Sequence, residues 1–107
     1  MNREKIYLAE EIKRMSNLLD THYANKLNFR NHCYLRIAYD VVVQDKWDVK
    51  VNKPFVKYAT ENQLENALAL LNTYFTDKQH LLADNEKSLL FRQRYKNETT
   101  NYNAKLF

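Results

Sequence analysis

The chain has 107 residues, a formal net charge of +4 and no glycine. Phosphate-cradling loops, dinucleotide fingerprints and nucleophile elbows all depend on glycine, so the sequence excludes the enzyme classes built on them. An apolar fraction of 45%, a mean hydropathy of −0.72 and the lack of a bilayer-length apolar run predict one soluble globular domain. The first residues do not resemble a signal peptide, and Cys33, the single cysteine, has no partner for an internal disulfide. We therefore expect a cytoplasmic protein without a membrane association.

The first predicted helix runs from Arg3 to about Lys26. Its apolar residues recur every three or four positions, which is the period of an amphipathic helix: Leu8, Ile12, Met15, Leu19 and Tyr23. Ile6 and Leu18 widen this stripe. We expect the stripe to face the core.

The second predicted helix runs from about Asn31 to Gln44. Its apolar residues cover more than half of the helix circumference, which is typical of a central helix: Cys33, Tyr34, Leu35, Ile37, Ala38, Val41 and Val42. The narrow remaining side carries the polar residues and one ring: His32, Arg36, Tyr39 and Asp40. We expect this narrow side to face solvent or a ligand.

An extended connection is predicted over residues 46–59. Val49 and Val51 alternate with polar residues there, and Pro54 disfavours helical geometry in the residue before it. Connections of this length tend to be functional or to be held by their own side chains, here the rings of Trp47, Phe55 and Tyr58.

Residues 60–96 show two helix-start patterns. Thr60 and Gln63 have the spacing of a capping box, and a second cap pattern begins at Thr76. We favour two helices with a break near Thr76. One continuous helix is the alternative, because the apolar heptad phase continues through the break.

Together these elements predict an all-α fold, a small bundle of three to four helices with one long extended connection. Residues 1–96 form the single helical domain, and residues 97–107 form a polar C-terminal tail that we expect to be mobile. Asparagine, the residue after glycine that best tolerates left-handed backbone, occurs thirteen times. Changes of chain direction are therefore expected near Asn28 or Asn31, near Asn52 and near Asn72.

A candidate small-ligand or enzyme site lies on the narrow side of the second helix. His32, Arg36 and Asp40 follow one another at four-residue intervals, so a helix places an imidazole, a guanidinium and a carboxylate on one face, beside Tyr39. Such a set suits anion binding or proton transfer. The alternative is a surface ion pair between Arg36 and Asp40, with the histidine near the helix start.

A second candidate site is the basic and aromatic part of the connection. Its candidate binding residues are Trp47, Lys50, Lys53, Phe55 and Lys57, in which lysines could follow a phosphate backbone while rings stack on bases. Residues 26–57 carry seven lysines and arginines against three aspartates, which equals the whole net charge. A solvated basic loop is the alternative interpretation.

No catalytic or metal-binding framework accompanies these residues. His22, His32, Cys33 and His80 do not follow the spacing of a zinc motif, so we expect no metal and no cofactor. Eight tyrosines exceed what a small core needs, and tyrosine is enriched at protein interfaces. We therefore expect a protein–protein interaction module, either an adaptor, an inhibitor or an assembly subunit, that binds a protein partner or itself. The alternatives are a nucleic-acid-binding protein using residues 46–58, and a small-ligand or enzyme site on the second helix.

Overall fold

The computed structural model describes the backbone of residues 2–106 and the side chains of residues 2–95. The helices are α1 (Arg3–His22), α2 (Asn31–Val43), a 3-10 turn (Trp47–Val49), α3 (Phe55–Tyr58), α4 (Glu61–Thr76) and α5 (Lys78–Leu106). The predicted all-α class is confirmed, since no strand occurs between residues 2 and 106. Four helices have 13 residues or more, and α3 is a single turn.

The ends of α4 follow the predicted cap patterns. Thr60 Oγ1 accepts from the Gln63 backbone N–H at 3.0 Å, and the Gln63 side chain accepts from the Thr60 N–H at 2.9 Å, so the capping box is confirmed. α4 ends at Thr76, and the Asp77 carboxylate accepts from the His80 N–H at 3.0 Å at the start of α5. The predicted break between two helices is therefore present.

The alternation of its valines predicted that the connection over residues 46–59 is extended. The connection is only partly extended. It contains the 3-10 turn and α3, closed by hydrogen bonds from the Val51 N–H to the Trp47 carbonyl at 2.9 Å and from the Ala59 N–H to the Phe55 carbonyl at 2.8 Å. Alternation would place Val49 and Val51 on one face of a strand, but Val49 is 51% exposed and Val51 is 8% exposed. Tight turns produce that difference here, because they fold the connection back onto the helices.

The core lies between α1, α2 and α4. α1 and α4 form the most extensive helix pair, and α2 packs against α1, α4 and α5. The predicted stripe of α1 is buried along its whole length: Leu8, Ile12, Met15, Leu19 and Tyr23. Ile6 and Leu18, which were expected to widen the stripe, are 45% and 40% exposed and lie outside the core.

Burial on α2 extends to the side that the sequence predicts to be polar. Tyr39 is 6% exposed and Asp40 is fully buried, so this side of α2 is not open to solvent at either residue. The physical reason is tertiary: the connection covers Tyr39 with Phe55, and α5 covers Asp40 with Arg92. Helical periodicity describes one element at a time and does not include such neighbours.

The left-handed residue between residues 2 and 106 is Gln44, with φ 58° and ψ 39°. It ends α2, where the Gln44 side chain donates to the Val41 carbonyl at 2.6 Å and the Asp45 N–H reaches the Asp40 carbonyl at 3.2 Å. The change of direction expected near Asn72 is wrong, because Asn72 lies inside α4. Asn28 and Asn52 lie in the connections that follow α1 and α2.

Replacing Gln44 with glycine is expected to raise the free energy of unfolding by about 0.5–1 kcal/mol, because glycine adopts this backbone conformation without a Cβ clash. Urea denaturation followed by far-UV circular dichroism measures the change. Ala69→Gly, at an exposed position inside α4, is the matched control and should lower stability by about 1 kcal/mol. A loss of stability in Gln44→Gly as large as that control would contradict the prediction.

The backbone of α5 continues through residues 97–106, the segment predicted to be a polar tail. The side chains of residues 96–107 lie outside the described residues, and the division into a domain and a tail stays a prediction. Among the helices of residues 2–106, none combines the length and the apolar character that crossing a bilayer requires.

Candidate binding groove

Asp40 is the centre of a buried polar network that joins three segments. Its carboxylate accepts from Arg92 Nε at 2.6 Å and from Arg92 Nη2 at 3.1 Å, both on α5. It also accepts from Ser88 Oγ at 2.6 Å and from the Trp47 backbone N–H at 2.9 Å. Because every one of these partners belongs to another element, Asp40 anchors α5 and the connection to α2.

Of the other two charged residues of the predicted α2 site, Arg36 is joined to Asp40 through Ser88, and His32 lies at the start of the helix. Arg36 donates to Ser88 Oγ at 2.8 Å and to Asn85 Oδ1 at 2.9 Å. Asp40 therefore pairs with Arg92, and the alternative of an Arg36–Asp40 surface pair is not observed. His32 is exposed in the first turn of α2. The structure thus does not bring these three side chains together on a concave surface.

The rings of the connection pack against α2. The rings of Tyr39 and Phe55 are stacked, with centroids 3.8 Å apart and planes 11° apart. Trp47 meets both edge-on, with centroids 5.7 Å and 5.6 Å away. Burial raises the pKa of the Tyr39 hydroxyl above its ordinary value, so this group stays neutral. The aromatic cluster, Tyr39, Trp47 and Phe55, is therefore part of the folded framework.

The lysines of the connection remain at the surface. Lys50 and Lys57 are exposed, and the Lys57 ammonium lies 5.3 Å from the centre of the Tyr58 ring. Burial alone would raise the pKa of Asp48, but Lys46 at 3.4 Å and Lys53 at 3.6 Å outweigh it and hold the pKa below its usual value. These ion pairs neutralise part of the positive charge that was expected to contact phosphates.

A groove of about 680 Å³ opens between α1, α2 and the connection. We call it the α1–α2 groove. Its apolar lining comes from all three segments: Ala9 and Ile12 on α1, Leu35 and Tyr39 on α2, and Trp47, Pro54, Phe55 and Val56 on the connection. Four of the nine predicted binding residues line it, namely Tyr39, Trp47, Lys53 and Phe55. The other five, His32, Arg36, Asp40, Lys50 and Lys57, are not among its lining residues.

The helices form two long walls. On α2 the lining residues Asn31, Leu35 and Tyr39 are spaced by four, and on α1 they span residues 9–17. Each wall is therefore about 12 Å long at 1.5 Å per residue. The Asn31 amide donates to Asn17 Oδ1 at 3.0 Å at one end, whereas the aromatic cluster lies at the other.

The rim of the α1–α2 groove carries a small excess of positive charge. Lys13 and Lys53 lie on the rim together with Glu10, and all three side chains are exposed. Within residues 2–95, neither Lys13 nor Glu10 forms an ion pair. Lys13 is thus a cation available to a ligand.

Comparison with known proteins does not identify a relative. No family model matches the chain, no curated protein matches it, and no solved structure matches it. Within the described part of the chain, no three His, Cys, Asp or Glu residues are grouped so that they could hold a metal ion.

Reasoning from sequence missed the α1 wall of this groove. Ala9 and Lys13 flank the buried stripe of α1, and such positions look like ordinary boundary residues in a helical pattern. The sequence signal for this wall was Ser16, a polar residue that lies four positions after Ile12 and three before Leu19. The structure buries Ser16 within the apolar stripe. It lines the groove and donates to the Lys13 carbonyl at 2.9 Å.

Proposed function

We propose that this protein is a helical protein–protein interaction module that receives apolar side chains of a partner in the α1–α2 groove. The observation that carries the proposal is the groove itself, about 680 Å³ in volume and lined mainly by aliphatic and aromatic side chains. Concave apolar sites of this size are typical of ligand-binding pockets. Aromatic residues are also enriched where proteins meet.

The lining of the groove is preorganised. Ile12, Tyr39 and Phe55 are each at most 6% exposed and belong to the hydrophobic core. Side chains held in this way lose little conformational entropy when a partner binds, so more of the contact energy remains as affinity. These three residues form a fixed floor, and a partner would make its contacts mainly with the half-buried side chains of Leu35, Trp47 and Val56.

The nucleic-acid alternative has weaker support. Base stacking needs an accessible ring face, but Phe55 is 2% exposed and stacks on Tyr39. Of the other two rings of the connection, Trp47 is half-buried and Tyr58 is 51% exposed, so Tyr58 is the accessible ring of this segment. The small-ligand alternative on α2 is weakened by the burial of Asp40 among structural partners.

A peptide-library selection on the full chain tests the proposed function. Library peptides are selected on the wild-type protein and then measured against Leu35→Glu and Ala9→Arg, which place a charge in the α1–α2 groove. We expect selected peptides to bind each variant at least about tenfold more weakly, since about 1.4 kcal/mol of contact energy is one power of ten. Circular dichroism verifies that the variants remain folded.

The matched control is Leu90→Glu, at an apolar residue of α5 that is 65% exposed and does not line the groove. Its affinity for the selected peptides should equal that of the wild type. Selection of no peptide, or of peptides that bind both folded groove variants as well as the wild type, would refute the proposed function.

A further inference from the structure

We infer that the partner segment that fits the α1–α2 groove is an amphipathic α-helix whose apolar face is flanked by carboxylates. This inference rests on the proposed function and specifies the kind of partner.

Backbone chemistry favours a helix over an extended peptide. The long walls of the groove are α-helices, whose internal N–H and C=O groups are bonded within the helix. Residues 2–106 contain no strand, so this part of the chain offers no sheet edge to which an extended peptide could add. A bound strand would leave its own polar groups without partners, whereas a helix satisfies them internally.

The dimensions of the groove fit one helix of about two to three turns. Leu35 and Tyr39 repeat at helical spacing along a wall about 12 Å long, which equals eight residues of α-helix. A helix lying between α1 and α2 would present apolar side chains at positions i, i+3 or i+4, and i+7. Such a helix would lie across the α1 and α2 pair as an additional helix of the bundle.

The charge of the groove favours acidic flanks. Lys13 and Lys53 lie on the rim with Glu10, and Lys13 has no ion pair within residues 2–95. Lys53 is paired with Asp48 at 3.6 Å, but Lys46 shares that carboxylate at 3.4 Å, so this group of three keeps one net positive charge beside the rim. Two of the three segments that form the groove belong to residues 26–57, which carry seven basic and three acidic residues. One of those acids, Asp40, is fully buried against Arg92 and does not offset the field at the rim. Carboxylates beside the apolar face would therefore be attracted to the rim.

An acyl chain with a carboxylate head shares part of this chemistry. The rim residues Lys13, Asn17, Asn31 and Lys53 are all exposed, so the groove opens to water along its length. A flexible chain would keep much of its apolar surface wet there, whereas a helix buries one face and leaves its polar face in solvent. The observations therefore favour the helix.

The test uses the selected peptides and the full chain. We expect their sequences to show apolar residues at i, i+3 or i+4, and i+7, with more Asp and Glu than Lys and Arg. Proline at the centre of a selected peptide should weaken binding at least about tenfold, because it breaks a helix. Trp47, the single tryptophan, lines the groove and reports binding by its fluorescence.

Charge is tested with a matched pair of variants. Lys13→Glu should weaken binding of the selected peptides at least about fivefold, since it reverses a rim charge. Lys26→Glu makes the same change at an exposed lysine that does not line the groove, and affinity should stay within about twofold. Raising the salt concentration should reduce the difference between the two variants.

Each outcome decides between the two proposals. Groove-dependent peptides that are basic, proline-rich or unaffected by Lys13→Glu would overturn the acidic helix and leave the proposed function intact. If no peptide depends on the groove, both proposals fail. Dodecanoate binding that Leu35→Glu abolishes, and that is tighter than any selected peptide, would assign the groove to an acyl ligand instead.

Discussion

Replacing Asp40 with alanine is expected to lower the free energy of unfolding by about 3–5 kcal/mol, the usual cost of breaking a buried ion pair by removing one partner. The substitution leaves Arg92, Ser88 and the Trp47 N–H without their shared acceptor. Arg92 is the most affected, because only 28% of its side chain is exposed and its charge loses its counter-ion. Urea denaturation followed by circular dichroism measures the loss.

The controls separate the ion pair from general disruption. Arg36→Ala removes a residue that reaches Asp40 only through Ser88 and leaves the Asp40–Arg92 ion pair in place, so its effect should be clearly smaller. The double variant Asp40→Ala/Arg92→Ala should cost less than the sum of the single variants, because the two residues interact directly. Additive losses would show that Asp40 and Arg92 are not energetically coupled, and a loss below about 1 kcal/mol for Asp40→Ala would show that the network contributes little.

Replacing Phe55 with alanine is expected to cost about 3–5 kcal/mol of stability, because it removes a buried ring and leaves a cavity. Phe55 is 2% exposed and contacts Tyr39 face to face and Trp47 edge-on. The same ring lines the α1–α2 groove, so any folded fraction should also lose affinity for groove-binding peptides. Thermal denaturation and Trp47 fluorescence report the two effects separately.

Tyr58→Ala is the matched control for this substitution. Tyr58 lies in the same helical turn but is 51% exposed, so its removal should change stability by less than about 0.5 kcal/mol. Phe55→Leu keeps most of the buried volume and should cost less than alanine. Equal losses in Phe55→Ala and Tyr58→Ala would show that the aromatic cluster does not hold the connection.

The features that sequence reasoning predicted correctly depend on local patterns. The buried stripe of α1 follows from its three-to-four-residue spacing, and the start of α4 follows from the hydrogen bonds that Thr60 and Gln63 exchange. The break near Thr76 is of the same kind, since Asp77 caps α5 three residues before His80. These signals act over one or two helical turns, so neighbouring elements do not alter them.

The features that it missed depend on residues far apart in the chain. Asp40 was assigned to the polar side of α2 from the helical pattern alone. The pattern could not show that Asp40 is buried, because its partner, Arg92, is 52 positions away in the chain. The two helical turns of the connection form where Trp47 and Phe55 close onto Tyr39, which alternating valines cannot reveal. The same limit applies to the candidate site: its aromatic wall was anticipated, but the opposing wall from α1 was not.

The shared anchor at Asp40 makes the groove and α5 thermodynamically linked. One carboxylate accepts from both the Trp47 backbone N–H of the groove and the Arg92 side chain of α5, so undocking of α5 leaves the acceptor that holds Trp47 without its counter-ion. A ligand that binds the assembled groove better than the loosened one must stabilise the docking of α5 by the same factor, because such coupling is reciprocal. Binding of a ligand in the groove would then stabilise α5, which does not line the groove. Slower amide hydrogen exchange in α5 on addition of the ligand would measure this coupling.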